Sequence, residues 1–109
     1  MRIDTRARSI PKAVKFWVAE RDSIDGWPCC VYCGRPTPDG GIEWSNAHYI
    51  SRAQGGLGIE ENVLTLCPDC HRRYDQSTER EEMRVFFREY LMDYYPGWDE
   101  SKLIYQKGR

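Results

Sequence analysis

Apolar positions along the chain recur with a helical period at both ends and in short extended runs between them. Ile10, Val14, Trp17 and Val18 follow Ser9 and Pro11 at helical spacing, which predicts a helix over about 9–22, opened by a capping hydroxyl with proline in its first turn. Asp25-Gly26-Trp27-Pro28 breaks that pattern, and Pro36, Pro38, Gly40 and Gly41 mark a loop. Ile42 to Ile50 alternates loosely and predicts a strand. The glycine-rich stretch Gln54-Gly55-Gly56-Leu57-Gly58 predicts a loop, Val63 to Leu66 a short strand, and helix resumes at or just after Cys70. Thr78 with Glu81 three residues later is a capping-box pattern. The helix it opens, over about 79–94, carries Met83, Phe86, Phe87, Tyr90, Leu91 and Tyr94 along one side, a packing face. Pro96 and Gly97 end it, and Leu103, Ile104 and Tyr105 are available to dock. No repeat or linker divides the chain, so residues 1–109 are expected to form a single domain with a core of about 28–76 between two flanking helices.

Composition agrees with a folded chain: hydrophobic residues make up 40%, aromatics 13% and charged residues 30%, too apolar and aromatic for a disordered tail. No run approaches a membrane span, and the basic first twenty residues lack the apolar core of a signal peptide. A cytoplasmic protein with no membrane partner is expected, in the host cell if the chain is phage-encoded. The net charge of −1 argues against a uniformly basic surface. Its distribution is uneven, with an excess of positive charge over residues 1–21 and of negative charge over residues 22–70. A basic segment can supply phosphate contacts through local potential, and it can equally be a solvated helix face.

Five cysteines in a chain without an export signal are expected to be thiols. Cys30-Val-Tyr-Cys33 and Cys67-Pro-Asp-Cys70 are two CxxC pairs, each able to form a tight knuckle that directs two thiolates at one ion. A tetrahedral zinc site of Cys30, Cys33, Cys67 and Cys70 is therefore expected. Cys29 lies beside Cys30 and is an alternative ligand, which the CxxC spacing and the following Gly34 disfavour. Zinc binding of about 10–16 kcal/mol rivals a domain's whole stability, so the ion is expected to hold the fold together.

The segment between and after the knuckles holds His48, Asn62 and His71. On Ala47-His48-Tyr49-Ile50, Gly55-Gly56, Asn62-Val63-Leu64-Thr65-Leu66-Cys67 and Cys70-His71, together with the first knuckle, residues 30–75 resemble the HNH endonuclease family. The resemblance implies an α+β fold with a ββα-metal core, stapled by the four-cysteine zinc site. It also implies a phosphodiester hydrolase with His48 as general base, Asn62 tying the long loop to that base, and His71 as a ligand of a second, catalytic metal. Cleavage chemistry suits these types, because a neutral imidazole is available to deprotonate water near neutral pH. His48 as a surface histidine, Asn62 as a plain turn residue and His71 as a zinc ligand in place of a cysteine remain the alternatives.

One position departs from the pattern. The residue before the base in this family is Asp or His, a metal ligand, and here it is Ala47. Asp75, four residues after His71, projects from the same helix face and is the expected replacement, holding Mg²⁺, Mn²⁺, Ni²⁺ or Zn²⁺ together with His71; an ordinary solvated aspartate is the alternative. Arg52, Arg72 and Arg73 are the expected DNA-binding residues, with Lys12 and Lys15 on the first helix as further basic groups near the site. The leading expectation is a metal-dependent DNA endonuclease of weak sequence preference, of phage or mobile-element type, for which the family adds a phage terminase as a partner. A catalytically inactive zinc-stapled module that binds nucleic acid or protein is the alternative that Ala47 allows.

Overall fold

Pro11 sets where the first helix begins. In the computed structural model, which describes residues 9–105, α1 spans Lys12–Arg21 and Pro11 is its N-cap, at φ −62° and ψ 152°, without a side-chain capping bond. The extended ψ of Pro11 keeps Ser9 and Ile10 off the helical path, so the helix starts later than the capping pattern predicts. It ends at Asp22. Val14 and Val18 are buried and pack with Ile10 on Val63, while Trp17, expected on the same face, is 54% exposed.

The expected break after α1 is a hairpin. β1 (Ser23–Ile24) pairs antiparallel with β2 (Trp27–Pro28). Asp25 and Gly26 form its turn, both with positive φ, as a primed two-residue turn requires. The chain then enters the first cysteine knuckle, where Cys30 N–H donates to Arg35 O and Gly34 N–H to Cys30 O.

β3 (Ala47–His48) and β4 (Val63–Leu64) form the second antiparallel pair, with Ala47 opposite Leu64 and His48 opposite Val63. The strand predicted over 42–50 is thus much shorter, because Ile42 to Ser45 turns back on itself through Ser45 N–H to Ile42 O. Bonds from Leu66 N–H to Trp44 O and from Tyr49 N–H to Asn62 O still hold the two segments together at either end.

α2 covers Pro68–Gln76, starting ahead of Cys70 and not at or after it. Proline is at home in a first helical turn, and the Cys67 sulfur caps the helix by accepting the Cys70 N–H. α3 covers Arg80–Tyr94, with Glu79 as an N-cap that makes no side-chain capping bond. The predicted Thr78 and Glu81 box is absent: Glu81 pairs with Arg84 at 2.6 Å, and Ser77 Oγ accepts the Glu79 N–H. Only Met83, Phe87 and Leu91 of the apolar stripe are fully buried; Phe86 and Tyr94 stay nearly half exposed. Leu103 docks as expected, its carbonyl taking the Leu57 N–H while Tyr105 N–H donates to Gly55 O. The chain is therefore α+β, with β3, β4 and α2 as a ββα unit and Leu64, Leu66, Tyr74, Met83, Phe87 and Leu91 in one core. Among the described residues no helix is long and apolar enough to cross a membrane.

A buried ion pair joins α1 to this core. Arg21 grips Asp22 through two bonds of 2.7 and 2.9 Å, and its Nη groups also donate to Glu60 O and Val63 O. Asp22 in turn accepts from Thr65 N–H and Tyr90 O–H. Burial alone would lower the Arg21 pKa; the Asp22 contact outweighs it and raises the value, so the guanidinium stays charged. Removing the carboxylate strands a buried cation. Asp22→Ala is expected to cost about 3–5 kcal/mol, read as a lowered urea midpoint; an unchanged midpoint would mean the network contributes nothing.

Candidate active site and metal centre

The sulfur atoms of Cys30, Cys33, Cys67 and Cys70 all lie within 4.8 Å of one another, and Cys33 Sγ is 3.8 Å from Cys67 Sγ. A zinc ion with bonds of about 2.3 Å to a tetrahedron of sulfurs places them about 3.8 Å apart, so the donor set and spacing fit a metal ion. Cys29 stands apart from the cluster, its thiol donating to Trp27 O. Burial pushes the thiols of Cys30 and Cys70 up. At Cys33 burial acts in the same sense but is outweighed by the Arg35 backbone N–H and the neighbouring thiols, and the net shift is down. Arg73 adds a donor to Cys70 Sγ at 3.8 Å.

α2 also borders a cleft of about 410 Å³. His48 reaches it from β3, Ser51 and Arg52 from the loop that follows, and His71 and Asp75 from α2, while Ser9, Ile10 and Lys15 wall it from the α1 side. His71 Nε2 is 3.5 Å from Asp75 Oδ2, the one-turn neighbour that helical spacing predicts. The two histidines, the aspartate and Arg52 thus share one pocket. Ala47 alternates to the opposite face and is fully buried in the core, so it brings no donor.

An imidazole and a carboxylate are suitable donors for a divalent cation. Among the described residues the four thiols are the group of three or more donors that converge. In the cleft the neighbouring donors of this kind are two, His71 and Asp75.

Asn62 does not line the cleft. It is fully buried, with Oδ1 accepting the Ile50 N–H and Nδ2 donating to Ile50 O and Leu57 O. Its amide therefore pins both arms of the loop after His48. Arg72 and Arg73 also lie outside the cleft: Arg72 pairs with Asp69 at 2.6 Å and Arg73 with Glu79 at 2.6 Å. Lys12 is exposed and does not line the cleft either.

One positioning contact escaped the sequence. Tyr74, three residues after His71 on α2, donates its hydroxyl to Tyr49 O at 2.7 Å, just past His48. Burial pushes that hydroxyl up to about 12, which keeps it a donor. The aromatic between His71 and the α3 stripe was the available signal.

The HNH endonuclease family model matches residues 30–77. That stretch contains both cysteine pairs, His48, Asn62, His71 and Asp75, so the resemblance drawn from the motifs holds. The type IV methyl-directed restriction enzyme EcoKMcrA of Escherichia coli (strain K12) is 30% identical over 74 residues, which is 64% of this chain and 25% of that enzyme. The chain spans about a quarter of the length of this curated relative.

Proposed function

With an HNH endonuclease match over residues 30–77 as the premise, we propose that the chain is a metal-dependent DNA endonuclease that hydrolyses phosphodiester bonds. The observation that carries this reading is the single cleft shared by His48, His71, Asp75 and Arg52. His48 acts as the general base, accepting a proton from water as the water oxygen bonds to phosphorus and the bond to the leaving oxygen breaks. Arg52 offers a fork of donors to the phosphate oxygens. His71 and Asp75 would hold Mg²⁺, Mn²⁺, Ni²⁺ or Zn²⁺, which when bound neutralises charge on the phosphoryl group and the leaving oxygen. Asn62 and Tyr74 act through position alone, fixing the loop and helix that carry these groups. The four thiols would hold a structural zinc ion at the start of α2. Contacts of this kind go to the DNA backbone, so sequence preference is weak. A phage or mobile-element setting with a terminase beside the protein rests on the family resemblance alone.

The second reading, an inactive zinc-stapled binding module, draws on the buried Ala47 and the two-ligand cleft. Supercoiled plasmid separates the two. Incubated with zinc-loaded protein and each ion in turn, it is expected to be nicked or linearised, and to stay intact with protein freed of added ion. Asp75→Ala is expected to slow the cut by at least about 10–100-fold, the loss that follows even from removing a partner that only orients a metal ligand. A plasmid left intact by every ion would favour the binding module, and an Asp75→Ala variant cutting at full rate would remove that ligand.

A further inference from the structure

α1 lies outside residues 30–77, yet it forms one wall of the cleft. Besides the Arg21 and Asp22 network at its far end, two contacts hold it there. Val14 and Val18 pack on Val63, which is the β4 residue paired with His48. The lead into the helix is seated on the loop at Gly58, where a Cβ would lie 1.9 Å from the Ser9 carbonyl oxygen, so only glycine admits that approach. Lys15 follows Val14 by one residue, about 100° around the helix, and this turns its side chain from the Val63 contact into the pocket of His48, Arg52 and His71.

The surroundings of Lys15 ask for an anion. Its side chain is half-buried, and among the described residues its ammonium makes no ion pair. Among the described residues the carboxylate lining the cleft is that of Asp75, which is turned to His71. An ammonium that shares a pocket with a guanidinium gains from a ligand that brings its own negative charge. We infer that Lys15 is a substrate-binding residue: its ammonium takes a phosphate oxygen of the nucleic-acid backbone, across the cleft from Arg52, and anchors the strand over His48. The inference rests on the nuclease reading for its substrate class.

The test is binding of a fluorescently labelled DNA duplex by the zinc-loaded full chain, without added divalent ion, across a range of salt. Lys15→Gln is expected to weaken binding about tenfold at low salt and to lower the slope of log K against log salt by about 0.9, the share of one phosphate. Lys15→Arg is expected to keep the wild-type slope. Lys15→Met, which keeps the aliphatic stem in place, takes over if the glutamine variant loosens α1. A charge-removing variant with unchanged affinity and slope overturns the inference even if the wild type cuts plasmid. A wild type that cuts nothing, with the slope still lowered in Lys15→Gln, overturns the nuclease reading and leaves the phosphate contact standing.

Discussion

Cys67→Ser is expected to leave the chain without a cooperative thermal transition, and a strong zinc chelator acting on the unaltered protein to do the same. Cys67 is fully buried, and its sulfur serves twice, as a member of the thiol cluster and as the cap of α2. The apolar core without it is small, with helices held to β-pairs only two residues long. A structural zinc ion contributes about 10–16 kcal/mol, as much as the whole net stability of a typical domain of about 5–15 kcal/mol. Losing it also frees the start of α2, and with it His71 and Asp75. Circular dichroism melting with chelator, then with zinc restored, reads the effect, and elemental analysis should find zinc in the native chain. Identical melting curves for the native, chelated and Cys67→Ser proteins would mean that the thiols only pack.

His48→Ala is expected to slow hydrolysis by about 10²–10⁴-fold, the usual contribution of a positioned base. The side chain is half-buried on a strand whose other face is core, and its neighbours in the cleft are the groups proposed to hold the ion and the phosphate. Truncation removes the imidazole without touching the β3–β4 pairing, because that pairing runs through the backbone. Folding and zinc content should therefore be kept. Single-turnover cleavage of a defined duplex isolates the chemical step from product release. Added free imidazole should restore part of the rate in the alanine variant and none in the native protein.

The thiol cluster was legible because a CxxC knuckle is local: spacing alone sets where its two sulfurs point, and the excluded Cys29 stands apart as the spacing required. The His71 and Asp75 pair was legible for the same reason, since one helical turn relates them. Boundaries were less so. Cys67 as the cap of α2 has a chemistry that cap statistics built on Ser, Thr, Asp and Asn do not anticipate, although Pro68 marked the first turn. The Asp25-Gly26 pair that breaks the helical pattern is also the turn of the first hairpin, a signal legible in the dipeptide itself. Trp17 shares the helical period of Val14 and Val18 but not their burial, and the cluster on Val63 is completed by Ile10 instead.

Long-range placement was hidden. The partners of Arg21 and Asp22 lie up to 74 residues away, and nothing in the local sequence distinguishes that pair from an ordinary helix end. Arg72 and Arg73 show the converse. Their position beside His71 suggested the site, and packing instead gives each a carboxylate partner outside the cleft. Which face of α1 meets Val63 decides that Lys15 enters the pocket while Lys12 does not, and that choice depends on contacts across half the chain.

The most direct test of the central claim, that one cleft does the hydrolysis, is a double-variant cycle on single-turnover plasmid cleavage with His48→Ala, Asp75→Ala and both together. Groups serving one transition state are not additive, so the double variant is expected to cut little more slowly than His48→Ala alone. Single variants that cut at the native rate, or two losses that simply multiply, would contradict the account.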